Sequence, residues 1–147
     1  IRNISAADTN IIYYKNKWWL FSNVDTSKLR EHDSELHIFY SDKFDSSEWI
    51  PHQNNPVIFD ANKARNAGKI LQNNGLFRVY QTQGIGINSK RVKVSKIKKL
   101  TETEYEEEEI SNNVDIKNLS NSVCHTYNEN EHYVAYDVML RKFNFYQ

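Results

Sequence analysis

The feature that most constrains the fold is a hairpin pattern that occurs three times. Short runs of β-branched, leucine or aromatic residues flank an asparagine-containing turn in YYKNKWWLFS, KILQNNGLFRVYQ and CHTYNENEHYVAYD. Asparagine and glycine tolerate the positive φ that tight hairpin turns require, and the flanking residues favour strands. The tips fall near Asn16, Asn74 and Asn130, about 57 residues apart. This interval is typical of repeats in which each unit is a small sheet, as in propeller blades.

A lone hairpin is marginal in water, so each aromatic face needs a neighbouring sheet to cover it. We therefore predict an all-β fold: a partial β-propeller of about three blades, with blade-like repeats at about 1–60, 61–115 and 116–147, in one portion of a longer chain. Closed propellers have about four to eight blades, so we expect the remaining blades to come from the same or another chain. Chance recurrence is the alternative, because asparagine-rich turns arise easily in β-rich chains.

Alternating residues predict the further strands of the first repeat. LHIFYS indicates a third strand with Leu36, Ile38 and Tyr40 on one face. The turn-rich passage after it contains both prolines and predicts two short strands, around Trp49 and around 57–59. With the hairpin, these runs make a sheet of about four strands.

The charged residues concentrate in two adjoining runs, RVKVSKIKKL and TETEYEEEEI. We predict two antiparallel strands with a turn at Thr101 and Glu102, Val92 and Val94 inward, and opposite charges facing each other across the ladder. The alternative is a basic patch for nucleic acid with an acidic tail. The 19 basic and 19 acidic residues balance, which favours neither nucleic acid nor an anionic membrane as a partner. No apolar run is long enough for membrane insertion.

Metal and cofactor chemistry has little support in the sequence. A single cysteine, Cys124, excludes an intrachain disulfide and a thiolate metal cluster, and we interpret it as a buried structural thiol. There is no glycine-rich phosphate loop, no His-Glu-x-x-His and no Gly-x-Ser-x-Gly. We therefore expect no metal and no cofactor; the compartment stays open.

An ordered set of short motifs carries a family resemblance over nearly the whole chain. It runs from DTNIIYYKNKWWLFS through LHIFYS, WIPHQNNPV, ARNAG, RVYQ and KKLTETEYEE to HT at 125–126. The set resembles five-bladed β-propeller domains similar to glycoside hydrolase family 43, as found beside glycosyltransferases in the amino-terminal domain of inositolphosphorylceramide glucosamine transferase-like proteins. The resemblance implies that the chain holds the last three of five blades.

The resemblance also implies candidate catalytic and substrate-binding residues. Asp8 stands where the family has its general acid, although that acid is normally a glutamate; the alternative is a turn carboxylate that accepts backbone N–H bonds. Arg65 and Gly68 match the Arg-x-Ala-Gly core, where the arginine binds a sugar or pins the loop to a neighbouring blade.

The resemblance adds three further positions to the candidate substrate-binding set. Arg78 and Gln81 match the Arg-x-x-Gln element of the family, although Thr82 replaces the aspartate that usually follows. His125 matches the histidine of the last blade; a hydrogen-bonded core histidine is the alternative.

Tryptophan supplies a separate, residue-based candidate. Trp18 and Trp19 are adjacent, and neighbouring residues of a strand face opposite ways. At most one of them therefore faces a given cavity, and the other packs between sheets. We assign Trp18 to sugar stacking.

The sequence therefore favours a carbohydrate-active propeller domain. Its predicted partner is a carbohydrate or glycoconjugate, bound by a sugar-recognising or degenerate glycosidase-like module associated with glycan synthesis or processing. One alternative is an active glycosidase whose catalytic base lies on blades outside this chain. A third interpretation is a structural propeller that binds proteins.

Overall fold

A computed structural model describes residues 1–83, 91–110 and 125–137 of the chain. In these residues the chain forms eleven β-strands and no helix, which confirms the predicted all-β class. The strands are β1 (Ser5–Tyr14), β2 (Lys17–Asp25), β3 (Glu35–Ser41), β4 (Ile50–Pro51), β5 (Ile58–Phe59), β6 (Leu71–Gln72), β7 (Leu76–Thr82), β8 (Arg91–Leu100), β9 (Tyr105–Glu109), β10 (Tyr127–Glu129) and β11 (Val134–Tyr136). Cys124, which we interpret as a buried structural thiol, lies outside the described residues.

The strands form three separate antiparallel sheets that follow one another along the chain. The first sheet has the order β1-β2-β3-β4, and β5 also pairs with β3. The second sheet has the order β6-β7-β8-β9, and the third consists of β10 and β11. Each of the three predicted hairpins opens its own sheet, so the hairpins occupy equivalent places in the chain.

The hairpin turns have the backbone conformation that their residues predict. Lys15 and Asn16 join β1 to β2 with φ of 49° and 61°. In the second turn, Asn74 has φ of 48° and Gly75 has φ of 145°. Asparagine and glycine take such angles more readily than other residues. These residues therefore set the register of both hairpins.

The edge of β3 explains why the outer part of the first sheet is split into β4 and β5. Between them, the Asn55 side chain takes the place of a strand: its Oδ1 accepts the Ile38 N–H at 2.9 Å, and its Nδ2 donates to the Ile38 carbonyl at 2.8 Å. The His52 N–H also donates to that carbonyl. One asparagine thus satisfies the backbone where neither short strand reaches.

The two charged runs pair as predicted. Strands β8 and β9 are antiparallel, and Lys96 lies opposite Glu108. Ion pairs join Lys93 to Glu109 at 2.6 Å and Lys98 to Glu108 at 2.6 Å. Such exposed pairs contribute little to stability, about 0–1 kcal/mol each.

The larger core lies between the first and second sheets. Buried apolar side chains from both sheets and from the segment that joins them form one cluster: Ile12, Trp19, Phe21, Leu36, Ile38, Ala64, Ile70, Leu76, Ile97 and Leu100. Leu36 and Ile38 are buried in this cluster and Tyr40 packs against it, which confirms the predicted face of β3. The ring of Phe21 meets Tyr105 of β9 edge-on, with centroids 6.0 Å apart.

A smaller core lies on the opposite face of the second sheet. Val79 and Val94 pack there with Ala67, Leu71 and Tyr127. Because Tyr127 belongs to β10, the second sheet is covered on one face by the first sheet and on the other by the third hairpin.

The third hairpin approaches the backbone so closely that only glycine fits beside it. Gly68 has φ of 147°, and a Cβ built on it would lie 1.9 Å from the Tyr127 carbonyl oxygen. The Tyr127 N–H donates to the Ala67 carbonyl at 2.7 Å. The glycine therefore permits the hydrogen-bonded contact between the second sheet and β10.

Substitution of Gly68 tests this contact, and Gly75 provides a matched control. Both glycines have φ near 146°, but a Cβ on Gly75 meets no atom closer than 3.6 Å. We expect Gly68→Ala to lower the free energy of unfolding by more than Gly75→Ala does, by at least about 1 kcal/mol, because the clash adds to the shared backbone strain. Urea unfolding measures both losses. Equal losses would contradict the close approach.

The buried ring of His52 predicts a pH dependence of stability. It is 2 % exposed, and its Nδ1 accepts the Asn54 N–H at 3.1 Å. Burial lowers the pKa of His52 below its ordinary 6.5, and backbone groups of Glu104 and Thr101 only partly oppose this effect. The unfolded chain therefore binds the proton more readily, so this contribution is present above pH 6.5 and is lost as the pH falls.

We expect the free energy of unfolding to fall between pH 6.5 and 5 more steeply in the native chain than in His52→Gln. Urea unfolding at several pH values measures the two slopes. Identical slopes would show that His52 does not titrate differently in the folded state.

Candidate functional site

The segment Arg65–Gly68 lies where the three sheets meet, and we call it the junction segment. Its backbone continues the first strand of the second sheet: the Ala67 N–H donates to the Val79 carbonyl at 3.0 Å, and the Gln81 N–H donates to the Arg65 carbonyl at 2.8 Å. The Ala67 carbonyl then accepts the Tyr127 N–H of the third hairpin. The segment thus joins the second and third sheets through its backbone.

Asn66 connects the same segment to the first sheet. It is 1 % exposed, and its backbone N–H donates to Asn23 Oδ1 of β2 at 2.9 Å. Its side-chain Nδ2 donates to the Asp8 carbonyl at 2.9 Å. Asn23 in turn donates to the Ala64 and Glu35 carbonyls. Because buried polar groups are costly when unpaired, this network fixes the separation of the two sheets.

Arg65 is held between two carboxylates at the surface. Its Nε donates to Asp8 Oδ2 at 2.7 Å, and its Nη1 donates to Asp33 Oδ1 at 2.5 Å. Partial burial by itself lowers the pKa of Arg65, but the hydrogen bonds and charges of Asp33 and Asp8 outweigh it and raise that pKa. The guanidinium therefore pins the junction segment to β1 and to the loop before β3.

A bulge in β1 directs Asp8 toward Arg65. The register with β2 shifts between Ala7 and Asn10, and Asp8 has φ of 47°. Its carbonyl accepts from Asn66 and from Asn10 Nδ2. Bulges of this kind re-aim side chains and are frequent beside active sites. The structure thus brings the predicted residues Asp8 and Arg65 together.

The first strands of the three sheets line a concave surface. Its upper part, which we call the polar groove, is a depression of about 210 Å³ that contains Asp8, Thr9, Asn10, Asn66, Ala67, Gly68, Lys69, Thr126 and Asn128. Its lower part, which we call the hairpin cleft, is about 870 Å³ and lies between the tips of the hairpins. The exposed residue Lys69 lines both parts. The surface combines amide, hydroxyl, carboxylate and ammonium groups that suit a hydroxyl-rich ligand.

Two aromatic residues form one wall of the hairpin cleft. Trp18 and Tyr13 lie opposite each other on β2 and β1, with ring centroids 5.1 Å apart. The ring of Trp18 also packs against that of Phe44, with centroids 4.9 Å apart. Its neighbour Trp19 is 2 % exposed in the core between the first two sheets. The two tryptophans therefore face opposite ways.

Arg78 is not on the concave surface but in the interior. It is fully buried, with Nε and Nη2 donating to the two carboxylate oxygens of Glu107 at 2.7 Å each. The same guanidinium donates to the Ala64 and Lys63 carbonyls. Burial lowers the pKa of Arg78, but the charge of Glu107 outweighs it and raises that pKa. The structure therefore gives Arg78 a buried ionic contact that also holds the start of the junction segment.

Gln81 and His125 meet beside the polar groove. The Nε2 of Gln81 donates to the His125 carbonyl at 3.1 Å. The His125 ring Nδ1 lies 3.2 Å from Asp137 Oδ2, and Asp137 Oδ1 accepts the His125 and Thr126 N–H groups. These contacts fix the entry into the third hairpin.

Sequence reasoning missed two residues on which this site depends. Asn66 occupies only the variable position of Arg-x-Ala-Gly, and Glu107 resembles the other members of an exposed acidic run. The side chain of Glu107 is 3 % exposed. The burial of Glu107 can be inferred from its position on β9, because Ile97 lies directly opposite and faces the core.

No metal site or membrane helix is found in the part of the chain that the structure describes. Among residues 1–83, 91–110 and 125–137, no three His, Cys, Asp or Glu side chains are grouped to hold a metal ion. The same residues include no helix with the length and apolar character needed to cross a bilayer.

The fold and the junction segment define an all-β protein of consecutive antiparallel sheets packed face to face. A family model described as "Glucosamine inositolphosphorylceramide transferase 1, N-terminal" matches residues 2–138. The chain belongs to this family, which confirms the predicted association with glycosyltransferases.

Individual relatives agree with this membership. The chain is 36% identical over 104 residues to glucosamine inositolphosphorylceramide transferase 1 of Oryza sativa subsp. japonica, and 33% identical over 106 residues to the protein of the same name in Arabidopsis thaliana. The matches cover 68% and 70% of this chain but only 14% of either relative. No solved structure gives a significant match.

The pair of Arg78 and Glu107 yields a double-mutant test. Glu107→Gln removes the carboxylate that pairs with the buried Arg78, and Arg78→Met leaves Glu107 only the partly exposed Lys63 at 3.4 Å. We therefore expect each substitution to lower the free energy of unfolding by about 3–5 kcal/mol. The double variant should lose less than the sum, because the uncompensated charge is gone. Urea unfolding of all four proteins measures the coupling. If the loss in the double variant equalled the sum of the two single losses, the coupling between Arg78 and Glu107 would be contradicted.

Proposed function

We propose that the three sheets are consecutive blades of a five-bladed β-propeller similar to glycoside hydrolase family 43, and that the concave surface recognises a sugar or glycoconjugate. The proposal is carried by one observation: the first strands of all three sheets converge on the polar groove and the hairpin cleft. In a propeller the first strands of the blades surround the central channel. A ligand there would contact several blades at once.

The chemistry of the surface supports a sugar as the ligand. Lys69 offers a cationic donor, Asn10 and Asn128 offer amides, and Asp8 offers a carboxylate. Hydroxyl groups of a sugar pair with all of these. The volume of the hairpin cleft, about 870 Å³, lies within the range of small-molecule sites.

The names of the relatives suggest where such a module would act. They are called glucosamine inositolphosphorylceramide transferases. A domain of this family would present a glycan or glycolipid to a transferase centre elsewhere in the protein. The role that we propose is therefore recognition in glycan synthesis.

The contacts of Asp8 favour recognition over hydrolysis. A glycosidase needs two carboxylates placed across the sugar, one of which delivers a proton to the leaving oxygen. Asp8 Oδ2 already accepts a hydrogen bond from Arg65 at 2.7 Å. Release of nitrophenol from aryl glycosides by the complete gene product, abolished by Asp8→Asn, would instead establish the glycosidase.

Lys69 offers the sharpest test of recognition, because its side chain is exposed and its structural bond comes from the backbone. Its N–H donates to Asn128 Oδ1 at 2.9 Å, which Lys69→Ala keeps. A hydrogen bond to a charged group contributes about 1.5–3 kcal/mol. We therefore expect Lys69→Ala to weaken binding of the best ligand from a glycan array at least about tenfold, measured by calorimetry on the complete gene product.

Lys43→Ala is the matched control, since Lys43 is also exposed and lines neither part of the concave surface. Its affinity should equal that of the native protein. An empty array, or equal affinity of the Lys69 and Lys43 variants, would reject this surface as the glycan site.

A further inference from the structure

We propose that the connection between β2 and β3 docks on the surface of a bilayer that contains anionic lipids. We call this connection, residues 26–34, the β2–β3 loop. Its tip presents one apolar side chain between two cationic ones, in the run Lys28, Leu29 and Arg30. The inference goes beyond the proposed function, because it requires neither the propeller nor the sugar ligand.

Leu29 is the most exposed large apolar residue in the part of the chain that the structure describes. It is 80 % exposed, and Ile4, just before β1, is 40 % exposed. The two lie at the same end of the first sheet, because Ser5 pairs with Asp25 at the start of the loop and its Oγ lies 2.9 Å from His32 Nε2. Transfer of such side chains out of water is favourable.

The loop is locally cationic although the whole chain has no net charge. Lys28 and Arg30 are exposed, as is Arg2, two residues before Ile4. No ion pair joins these three side chains to a carboxylate within residues 1–83, 91–110 and 125–137. Much of the acidic charge lies elsewhere, as in the four glutamates at 106–109. The overall balance therefore does not exclude an anionic surface as a partner of this loop.

The acidic side chains at the base of the loop bind the loop itself. Asp25 is buried; its Oδ2 accepts the Arg30 N–H at 2.7 Å, and its Oδ1 accepts the Ser27 hydroxyl at 2.6 Å. Glu31 Oε1 accepts the Ser34 N–H at 3.1 Å. These carboxylates are thus engaged with loop N–H and hydroxyl groups, whereas the cationic side chains of the tip are in solvent.

The backbone at the tip has a conformation that is uncommon for its residue types. Lys28 has φ of 63° and Arg30 has φ of 62°. Lysine and arginine rarely adopt these angles, and strained residues of this kind cluster at functional sites. The hydrogen bonds to Asp25 and Glu31 hold the loop in this conformation. Docking of a loop that is already ordered costs little conformational entropy.

An anionic bilayer matches this arrangement better than a nucleic acid or a protein does. Its apolar interior lies directly beneath charged head groups, so Leu29 enters the apolar region while Lys28 and Arg30 stay at the phosphates. The aliphatic stems of the two basic side chains lie along the boundary. A nucleic acid offers no such layer for leucine, and a stable protein interface needs about 800 Å² on each side, more than a loop tip supplies. Such docking is peripheral and needs no spanning segment.

The loop lies at the same end of the first sheet as the polar groove. Asp33 of the loop accepts from Arg65 Nη1, and Arg65 Nε donates to Asp8 of the polar groove. The docked loop would therefore bring the polar groove close to the lipid head groups.

A fluorescent probe at the loop tip tests the inference in the complete gene product. Leu29→Cys carries the environment-sensitive probe NBD, in a background without other reactive thiols. Ser47→Cys is the matched control, because Ser47 is exposed in the connection between β3 and β4, at the opposite end of the first sheet. We expect emission from position 29 to rise at least about twofold on phosphatidylcholine vesicles with about 30 mol % phosphatidylserine, and not on phosphatidylcholine alone. Position 47 should respond to neither.

The cations give a second reading that separates docking of the loop from insertion of the probe alone. The double variant Lys28→Gln, Arg30→Gln should raise the lipid concentration at half-maximal emission at least about tenfold. The exposed Lys43, beside Ser47 in the same connection, is the control, and Lys43→Gln should leave that concentration unchanged.

Cleavage by trypsin gives a third reading without a probe, in case Leu29→Cys disturbs the loop. In the unlabelled protein, anionic vesicles should slow cleavage after Lys28 at least about tenfold and leave cleavage after Lys43 unchanged, and Leu29→Asn should abolish the protection. Equal emission and equal cleavage on neutral and anionic vesicles would overturn the inference. A probe at 29 that is shielded from iodide without vesicles would also overturn it, because the loop would then be covered by protein.

Discussion

The packing of the first two sheets depends on the buried residue Asn66, through both its backbone and its side chain. Its backbone N–H donates to Asn23 Oδ1 and its side-chain Nδ2 donates to the Asp8 carbonyl, both on the first sheet. Its backbone carbonyl accepts a hydrogen bond from Gln81 Nε2 on the second sheet. A buried amide leaves little choice of geometry, because each unpaired group would cost about 1–3 kcal/mol. Apolar contacts between sheets tolerate sliding, but this network does not. The network fixes the position of the first strand of one sheet relative to that of the other, and therefore the shape of the concave surface.

Because the second sheet lies between the first sheet and the third hairpin, its two faces belong to two different cores. One face contributes Leu76 and Ile97 to the core with the first sheet, and the other contributes Val79 and Val94 to the core with the third hairpin. A sheet covered on both faces has little room for charge, yet Arg78 and Glu107 lie within it. Their bidentate pair satisfies both groups and binds the backbone that leads into the junction segment. The ion pair is thus part of the positioning of the site, even though it lies away from the groove.

The sequence is sufficient to predict the local structure and part of the candidate site. Tight turns have a strong local chemistry, so the residue types alone place Asn16, Asn74 and Gly75 at hairpin tips. The charge alternation of β8 and β9 is equally informative, because cross-strand pairs follow from period-two alternation. Arg65 and Asp8 are identified through the family resemblance, not through local pattern. Their contact depends on a bulge and on a residue distant in the chain, which no periodicity encodes.

The other missed features share one physical cause. The roles of Asn66 and Glu107 arise only when two sheets meet, and neither residue stands out from its sequence neighbours, which are Arg65 and Ala67 in one case and glutamates in the other. Burial of Glu107 in the run YEEEE can be inferred only from its register opposite Ile97. Long-range pairing of polar groups is therefore what separates the predicted strands from the observed site.

The most direct test of the account is an experimental structure of the complete gene product, by crystallography or electron cryomicroscopy. We predict that the first strands of the three sheets surround one axis and that Asn66 bridges the first two sheets. A structure with the three hairpins in one continuous sheet, or with Asn66 outside the contact between the first two sheets, would contradict it.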